Sequence, residues 1–333
     1  MDTQIDSSLR IPALDGFELA ATLYEPAAGP GGPSRGTVVL INSATAVKRG
    51  YYDSYARHLA GEGFTVVTYD YRGIGGSRPA RLAGFRARMR DWGQLDLAGV
   101  LDWIGLHLRP QKLLVVGHSA GGQIVGLAEP SWRISGLLTV GSQSGWWAHW
   151  PVPARYKIAA QWYAVPVITR LFGYLPGSFG TKEDLPAGVA REWARWGRRP
   201  RYLLEDGLED GFARFRGPLF AYSFTDDTYA PRPAVESLLD AYSGADITHR
   251  HLSPADIGAG EIGHFGFFRE RFRSTLWRET SEWLLSQLSA RIQPLEELDL
   301  PRVVEVVVGH AQHEIEDGGL APFGHRLQVA VGK

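Results

Sequence analysis

The sequence predicts an α/β protein: a mostly parallel central sheet flanked by helices, with a helical segment inserted into it. Three observations carry this. Short β-branched, apolar runs alternate with segments of helical spacing, the pattern of strands joined by crossover helices. One such run, residues 112–116, leads directly into Gly117-His118-Ser119-Ala120-Gly121 and a small-residue segment suited to opening a helix. The alternation stops near Gly145 and resumes at Pro218. The roughly 70 residues between are too many for a loop in a compact domain.

Taken in order, residues 9–14 and 17–24 read as a hairpin, because Asp15-Gly16 between two apolar-containing runs is a strong turn signal. Residues 29–36 form a Gly/Pro loop. Residues 37–41 and 64–69 are short apolar runs typical of buried strands, and 51–60 between them has helical spacing. Residues 91–108 read as a helix, 113–116 as a strand, 122–128 as a helix and 134–140 as a strand. The interruption holds Trp146, Trp147, Trp150, Trp162, Trp193 and Trp196 and reads as a mainly helical cap. After it come a strand at 218–222, a helix at 232–243, a strand at 247–252 and a helix at 265–288. The expected organisation is a core of residues 1–144 and 218–290, a cap at 145–217 and a C-terminal extension at 291–333. In that extension, 303–308 has the composition of a strand.

Composition narrows the function classes. The chain has 333 residues, 44% hydrophobic and 21% charged, which is ordinary for a globule with a sizeable core. A formal net charge of −1 gives no electrostatic case for nucleic acid. The absence of cysteine removes disulfides, thiol catalysis and cysteine-ligated zinc. Residues 1–10 lack the basic start and apolar stretch of a secretory signal, and no run reaches the roughly 18 apolar residues of a membrane span. A cytoplasmic protein with no membrane span is therefore expected.

The chemistry centres on Ser119. A serine on a sharp strand-to-helix turn presents its hydroxyl to a substrate, and Gly117 and Gly121 leave room for the turn. The Ala120 N–H then lies at a helix N-terminus, aimed at developing negative charge. A serine nucleophile needs a base, and the base an orienting carboxylate. The base is expected at His264, on a glycine-flanked loop after the last strand. The carboxylate is expected at Asp227, with Asp226 as the alternative, both following the strand at 218–222. The second oxyanion donor is expected at the Ala44 N–H, with side chains of Asn42 or Ser43 as alternatives. His118 is expected to pack beside the serine, and Trp146 and Trp147 to border the substrate. His249 and His251 alternate on one strand face; without a third ligand, a solvated face is the simpler reading. The run Asp70-Tyr71-Arg72-Gly73-Ile74-Gly75-Gly76-Ser77 lacks the ending of a phosphate loop and reads as a structural turn.

Together these residues resemble the α/β-hydrolase superfamily over roughly residues 9–289. Ile41-Asn42-Ser43-Ala44-Thr45 and Gly263-His264-Phe265-Gly266-Phe267-Phe268 are similar to a bacterial group of predicted α/β hydrolases near the serine aminopeptidase and monoglyceride lipase-like branch. The resemblance implies a Ser119–Asp227–His264 triad, a lid and no organic cofactor. Many relatives carry His-Gly where this chain has Asn42-Ser43. The function expected is hydrolysis of carboxylic esters of apolar or aromatic character. The alternatives are an amidase or peptidase, a lactonase, an acyltransferase, or a non-catalytic ligand-binding relative. The partners expected are a small-molecule ester or acyl substrate and a second copy in a homodimer.

Overall fold

The computed structural model describes residues 3–26 and 36–289; the strand expected at 303–308 lies outside the described residues. The chain opens with β1 (Gln4–Asp6), β2 (Arg10–Pro12), β3 (Glu18–Glu25) and β4 (Thr37–Asn42). Next come α1 (Asp53–Gly61), β5 (Thr65–Tyr69), α2 (Ala98–His107), β6 (Lys112–His118), α3 (Ala120–Gln123) and β7 (Gly136–Val140). Between β7 and β10 stand α4 (Ala154–Phe172), β8 (Tyr174–Leu175), β9 (Leu185–Pro186), α5 (Ala187–Gly197) and α6 (Asp210–Arg214). The chain continues with β10 (Pro218–Phe224), α7 (Arg232–Leu239), β11 (Asp246–Leu252), α8 (Gly263–Gly266) and α9 (Arg278–Ser289). No helix among the described residues is long and apolar enough to cross a membrane.

The main sheet runs β1-β3-β5-β4-β6-β7-β10-β11, with β2 paired to β3 at the hairpin. It is antiparallel where β3 meets β1, β2 and β5, and parallel from β5 through β11. The central strands are buried on both faces, which is why they read as unbroken apolar runs. Along β4, Val38 and Leu40 face one core layer, while Val39 and Ile41 face the other. The outer strand β11 is mostly exposed and carries Asp246, His249, Arg250 and His251, polar side chains that discourage edge pairing.

Register brings the ends of the strands together. Asn42 stands opposite Gly117, and Val140 opposite both His118 and Tyr222. The residues that follow these positions therefore collect at the carboxyl edge of the sheet, where such folds bind ligands.

Three expected helices are shorter or broken. The helix expected at 122–128 is the single turn α3 followed by a 3-10 turn, Val125–Leu127. Its two glycines weaken it, and Gly126 packs so closely on the Phe212 ring that a regular helix bearing side chains has no room. The helix expected at 265–288 is α8, a 3-10 turn at Glu270–Phe272, a π turn at Arg273–Trp277 and then α9. The run at 91–108 likewise begins as a π turn, Trp92–Leu97, before α2.

The Asp70–Ser77 run is a turn locked by ion pairs. Asp70 accepts from Arg49 and from the Gly76 N–H, at 2.9 Å for the latter. Arg72 is buried between Asp96, at 2.6 Å, and Asp15, at 2.8 Å. The segment between β7 and β10 is stitched to the core by Arg90, which meets Glu192 at 2.7 Å and Asp206 at 2.5 Å.

A tight backbone approach joins α3 to β4. A Cβ at Gly121 would lie 2.2 Å from the Asn42 carbonyl oxygen, whereas a Cβ at Gly61 would meet nothing within 4 Å. Gly121→Ala is expected to destabilise the fold by about 3 kcal/mol or more, because the obstacle is backbone. Gly61→Ala, in the last turn of α1, is expected to stabilise it by about 0.5–1 kcal/mol. Chemical denaturation of both variants checks the contrast; equal effects would show that the α3–β4 contact is looser than described.

Candidate active site

Ser119 occupies the turn between β6 and α3 with φ +52° and ψ −117°. That backbone costs a non-glycine residue about 1–3 kcal/mol and persists only where neighbours enforce it. Here they are Val140, whose carbonyl accepts the Ser119 N–H at 2.9 Å, and the glycines on either side. A Cβ at Gly117 would lie 2.6 Å from the Gly122 backbone. Asn42 closes the arrangement by donating from Nδ2 to the Gly121 carbonyl at 3.1 Å. The Ala120 N–H, at the start of α3, has no protein acceptor among the described residues.

His264 lies on α8, and its Nδ1 is 2.7 Å from Asp227 Oδ2, both side chains buried. A carboxylate only accepts, so Nδ1 carries the proton and Nε2 keeps its lone pair. The other Asp227 oxygen accepts the Tyr229 and Ala230 N–H groups at 2.8 and 3.0 Å. Asp226 faces elsewhere: its Oδ2 accepts the Ile262 and Gly263 N–H groups at 2.8 and 3.0 Å and so holds the histidine loop. Gly141 leaves space for the pair, since a Cβ there would lie 3.1 Å from both Asp227 Oδ2 and His264 Nδ1. Ser119 and His264 thus flank the Val140–Gly141 turn. The Ser119 hydroxyl itself has no hydrogen-bond partner among the described residues.

Three expected site residues are engaged internally. The Ala44 N–H donates to the Tyr52 hydroxyl at 2.8 Å, so it is not a free oxyanion donor. Asn42 is fully buried, with Nδ2 on Gly121 and Oδ1 accepting from the Tyr69 hydroxyl at 3.1 Å, so it serves the interior and not a substrate. His118 is also fully buried. Its Nε2 donates to the His264 carbonyl at 2.9 Å, and its Nδ1 accepts from the Tyr52 hydroxyl at 2.8 Å. The ring is a brace between α1 and the histidine loop, not a substrate contact. Ser43 is buried too, but its hydroxyl has no partner. Trp146 and Trp147 are partly buried just after the Val140–Gly141 turn, and Trp146 packs edge-on to His149.

Comparison with known proteins agrees with this architecture. A family model described as alpha/beta hydrolase fold matches residues 36–159. An esterase from Exiguobacterium antarcticum superposes with a TM-score of 0.53 at 16% identity, covering 85% of this chain and 100% of that one. A thermophilic esterase from Thermogutta terrifontis gives 0.55 at 18% identity, covering 84% and 99%. A hypothetical protein from Pseudomonas aeruginosa gives 0.58 at 14% identity, covering 86% and 94%. The chain has the α/β-hydrolase fold. No curated protein sequence matches it.

Within this α/β-hydrolase fold, two residues at the candidate site carry no sequence signal of their own. Tyr52 binds the nearby Ala44 and also His118, 66 residues further along the chain, and only the folded sheet brings them together. Tyr229 stacks on the His264 ring at 5.1 Å and 29°, and is 53% exposed. Away from the site, His249 and His251 are half-buried on the exposed strand β11. Both ring nitrogens meet the buried Ser223 hydroxyl, at 2.8 and 2.7 Å, and no three potential metal ligands cluster among the described residues.

Burial holds His118 well below the usual imidazole range, and the neighbouring His264 adds to the effect. His58, His149, His249 and His251 are also held down, chiefly by burial. In the unfolded chain each takes up a proton near pH 6.5, whereas the folded chain resists. The unfolded state therefore binds more protons below that pH. Stability is expected to be full above pH 6.5 and to fall as pH drops, by up to about 1 kcal/mol per unit from the fully buried His118 and by less from the partly exposed histidines. Denaturation at pH 7.5, 6.5 and 5.5 checks this. His118→Asn should be less stable at pH 7.5 but show a shallower decline; an unchanged slope would remove His118 from the account.

Proposed function

We propose that this protein is a serine hydrolase of carboxylic esters of apolar or aromatic character. The observation that carries the reading is the buried His264–Asp227 hydrogen bond of 2.7 Å beside the left-handed turn at Ser119. In this reading His264 Nε2 takes the Ser119 proton as Oγ bonds to the acyl carbon. Asp227 holds the ring and stabilises its charged form. The carbon–oxygen bond to the leaving group breaks, and the proton passes from Nε2 to the departing alcohol. Water then repeats the sequence and frees the acid. The Ala120 N–H is one oxyanion donor. Tyr52 occupies the Ala44 N–H and the Ser43 side chain is fully buried, so this reading assigns the oxyanion to the Ala120 N–H alone. The esterases named above support a hydrolytic reading through the fold they share with this chain.

One observation favours a second reading, a ligand-binding relative that does not turn its ligand over: the Ser119 hydroxyl is not bonded to His264. Intact mass measurement after exposure to a fluorophosphonate separates the two. The hydrolase reading expects one adduct, at Ser119, lost in Ser119→Ala. A folded protein that takes no adduct would favour the binding reading. With an aryl ester as substrate, Asp227→Asn is expected to lower kcat by about 10⁴-fold, as loss of an orienting carboxylate does elsewhere. Asp226→Asn should cost far less, and a reversal of that order would exchange their roles.

A further inference from the structure

The segment joining α4 to α5 returns across the candidate site and carries Lys182-Glu183-Asp184. The two acids are committed elsewhere. Glu183 meets Lys48 at 2.6 Å and accepts the Gly75 N–H at 3.0 Å. Asp184 meets Arg78 at 2.8 Å and accepts the Gly177 N–H at 2.9 Å. Lys182 takes neither. Its ammonium stands 4.2 Å from the centre of the Phe265 ring and has no carboxylate partner among the described residues.

Phe265 follows the candidate base directly. Its ring meets that of His264 edge-on at 5.0 Å and lies 5.9 Å from that of Tyr229. The ammonium and the imidazole thus contact the same aromatic ring. The charge of Lys182 also reaches His118 and helps to keep it neutral. A contact with an aromatic face holds an ammonium in place without occupying its N–H donors. Of the nearby carboxylates, Asp227 is taken by His264 and two backbone N–H groups, and Asp226 has Oδ2 on two backbone N–H groups and Oδ1 buried in the interior. Two exposed cations therefore stand against the aromatic rings here, Lys182 over Phe265 and Arg269 at 5.7 Å from the ring of Tyr51, and Lys182 is the one in contact with the neighbour of His264.

We propose that Lys182 binds a carboxylate on the acyl part of the substrate, so that the preferred esters are half-esters of short dicarboxylic acids. This deepens the hydrolase reading and rests on it. The aromatic lining accepts the ester's apolar portion, and the ammonium selects among acyl groups by charge.

The test compares para-nitrophenyl hydrogen glutarate with para-nitrophenyl valerate, which match in acyl length and differ in the terminal carboxylate. Wild type is expected to show the higher kcat/KM on the glutarate ester. The ratio of the two should fall about fivefold to tenfold in Lys182→Met, the effect of losing one charged contact at a partly exposed site. Half-molar salt should shrink the ratio in wild type by screening. Lys157→Met, the same change on the outer face of α4, should leave the ratio unchanged. A wild-type ratio near one, or one that Lys182→Met leaves intact, overturns the anion preference while the esterase reading stands. If wild type turns over neither ester, calorimetry with glutarate decides. Binding that weakens in Lys182→Met retains the anion site and removes the hydrolase reading; binding that does not removes both.

Discussion

The approach of α3 to the carbonyl end of β4 is the constraint on which the rest of the site depends. Gly121 lies against the Asn42 carbonyl with no space for a Cβ, and Asn42 reaches back to the Gly121 carbonyl. This fixes where α3 begins. With β6 entering from the other side, Ser119 has only a left-handed backbone available to make the turn. The same clamp explains why Asn42 serves structure: its amide is consumed in holding the two strand ends together. The strain at Ser119 is thus imposed by backbone packing on both sides, and a larger residue at either glycine would relax it by moving the serine.

Much of the fold was legible because the central strands are buried on both faces. Their β-branched runs could hardly be anything else, and the hairpin turn at Asp15-Gly16 announced itself. The strand β1 was not legible. Its three residues, Gln4–Asp6, are mostly exposed and pair only at the sheet margin, so no apolar pattern marks them. The breaks in the last helical region were missed for a related reason. Spacing alone reports which residues face inward, and π or 3-10 turns between α8 and α9 keep that facing while changing the path.

At the site, position in the chain singled out Ser119, Asp227 and His264 as candidates: Ser119 directly follows β6, Asp227 lies just past β10, and His264 lies on the stretch after β11. The sequence could not say which polar atoms near them were already occupied. The Ala44 N–H is a donor in the expected loop, yet the Tyr52 hydroxyl has taken it. That bond is part of a chain from Ala44 through Tyr52 and His118 to the His264 carbonyl, in which each group satisfies the next. Networks of this kind are specified by three-dimensional placement and leave no local signature.

The two adjacent aspartates divide one task. Asp226 grips the backbone of the loop that carries the imidazole, and Asp227 grips the imidazole itself. Both hang from the end of β10, on neighbouring peptide units. A small slide or tilt of that strand would therefore carry ring and loop along as one body. The proton-bearing edge of the imidazole keeps its alignment to the carboxylate whatever the strand does, and only its distance to the serine on the other side of the Val140–Gly141 turn is free to change. The tolerance of the candidate site to motion is thereby concentrated in a single coordinate, the gap between the Ser119 and His264 side chains.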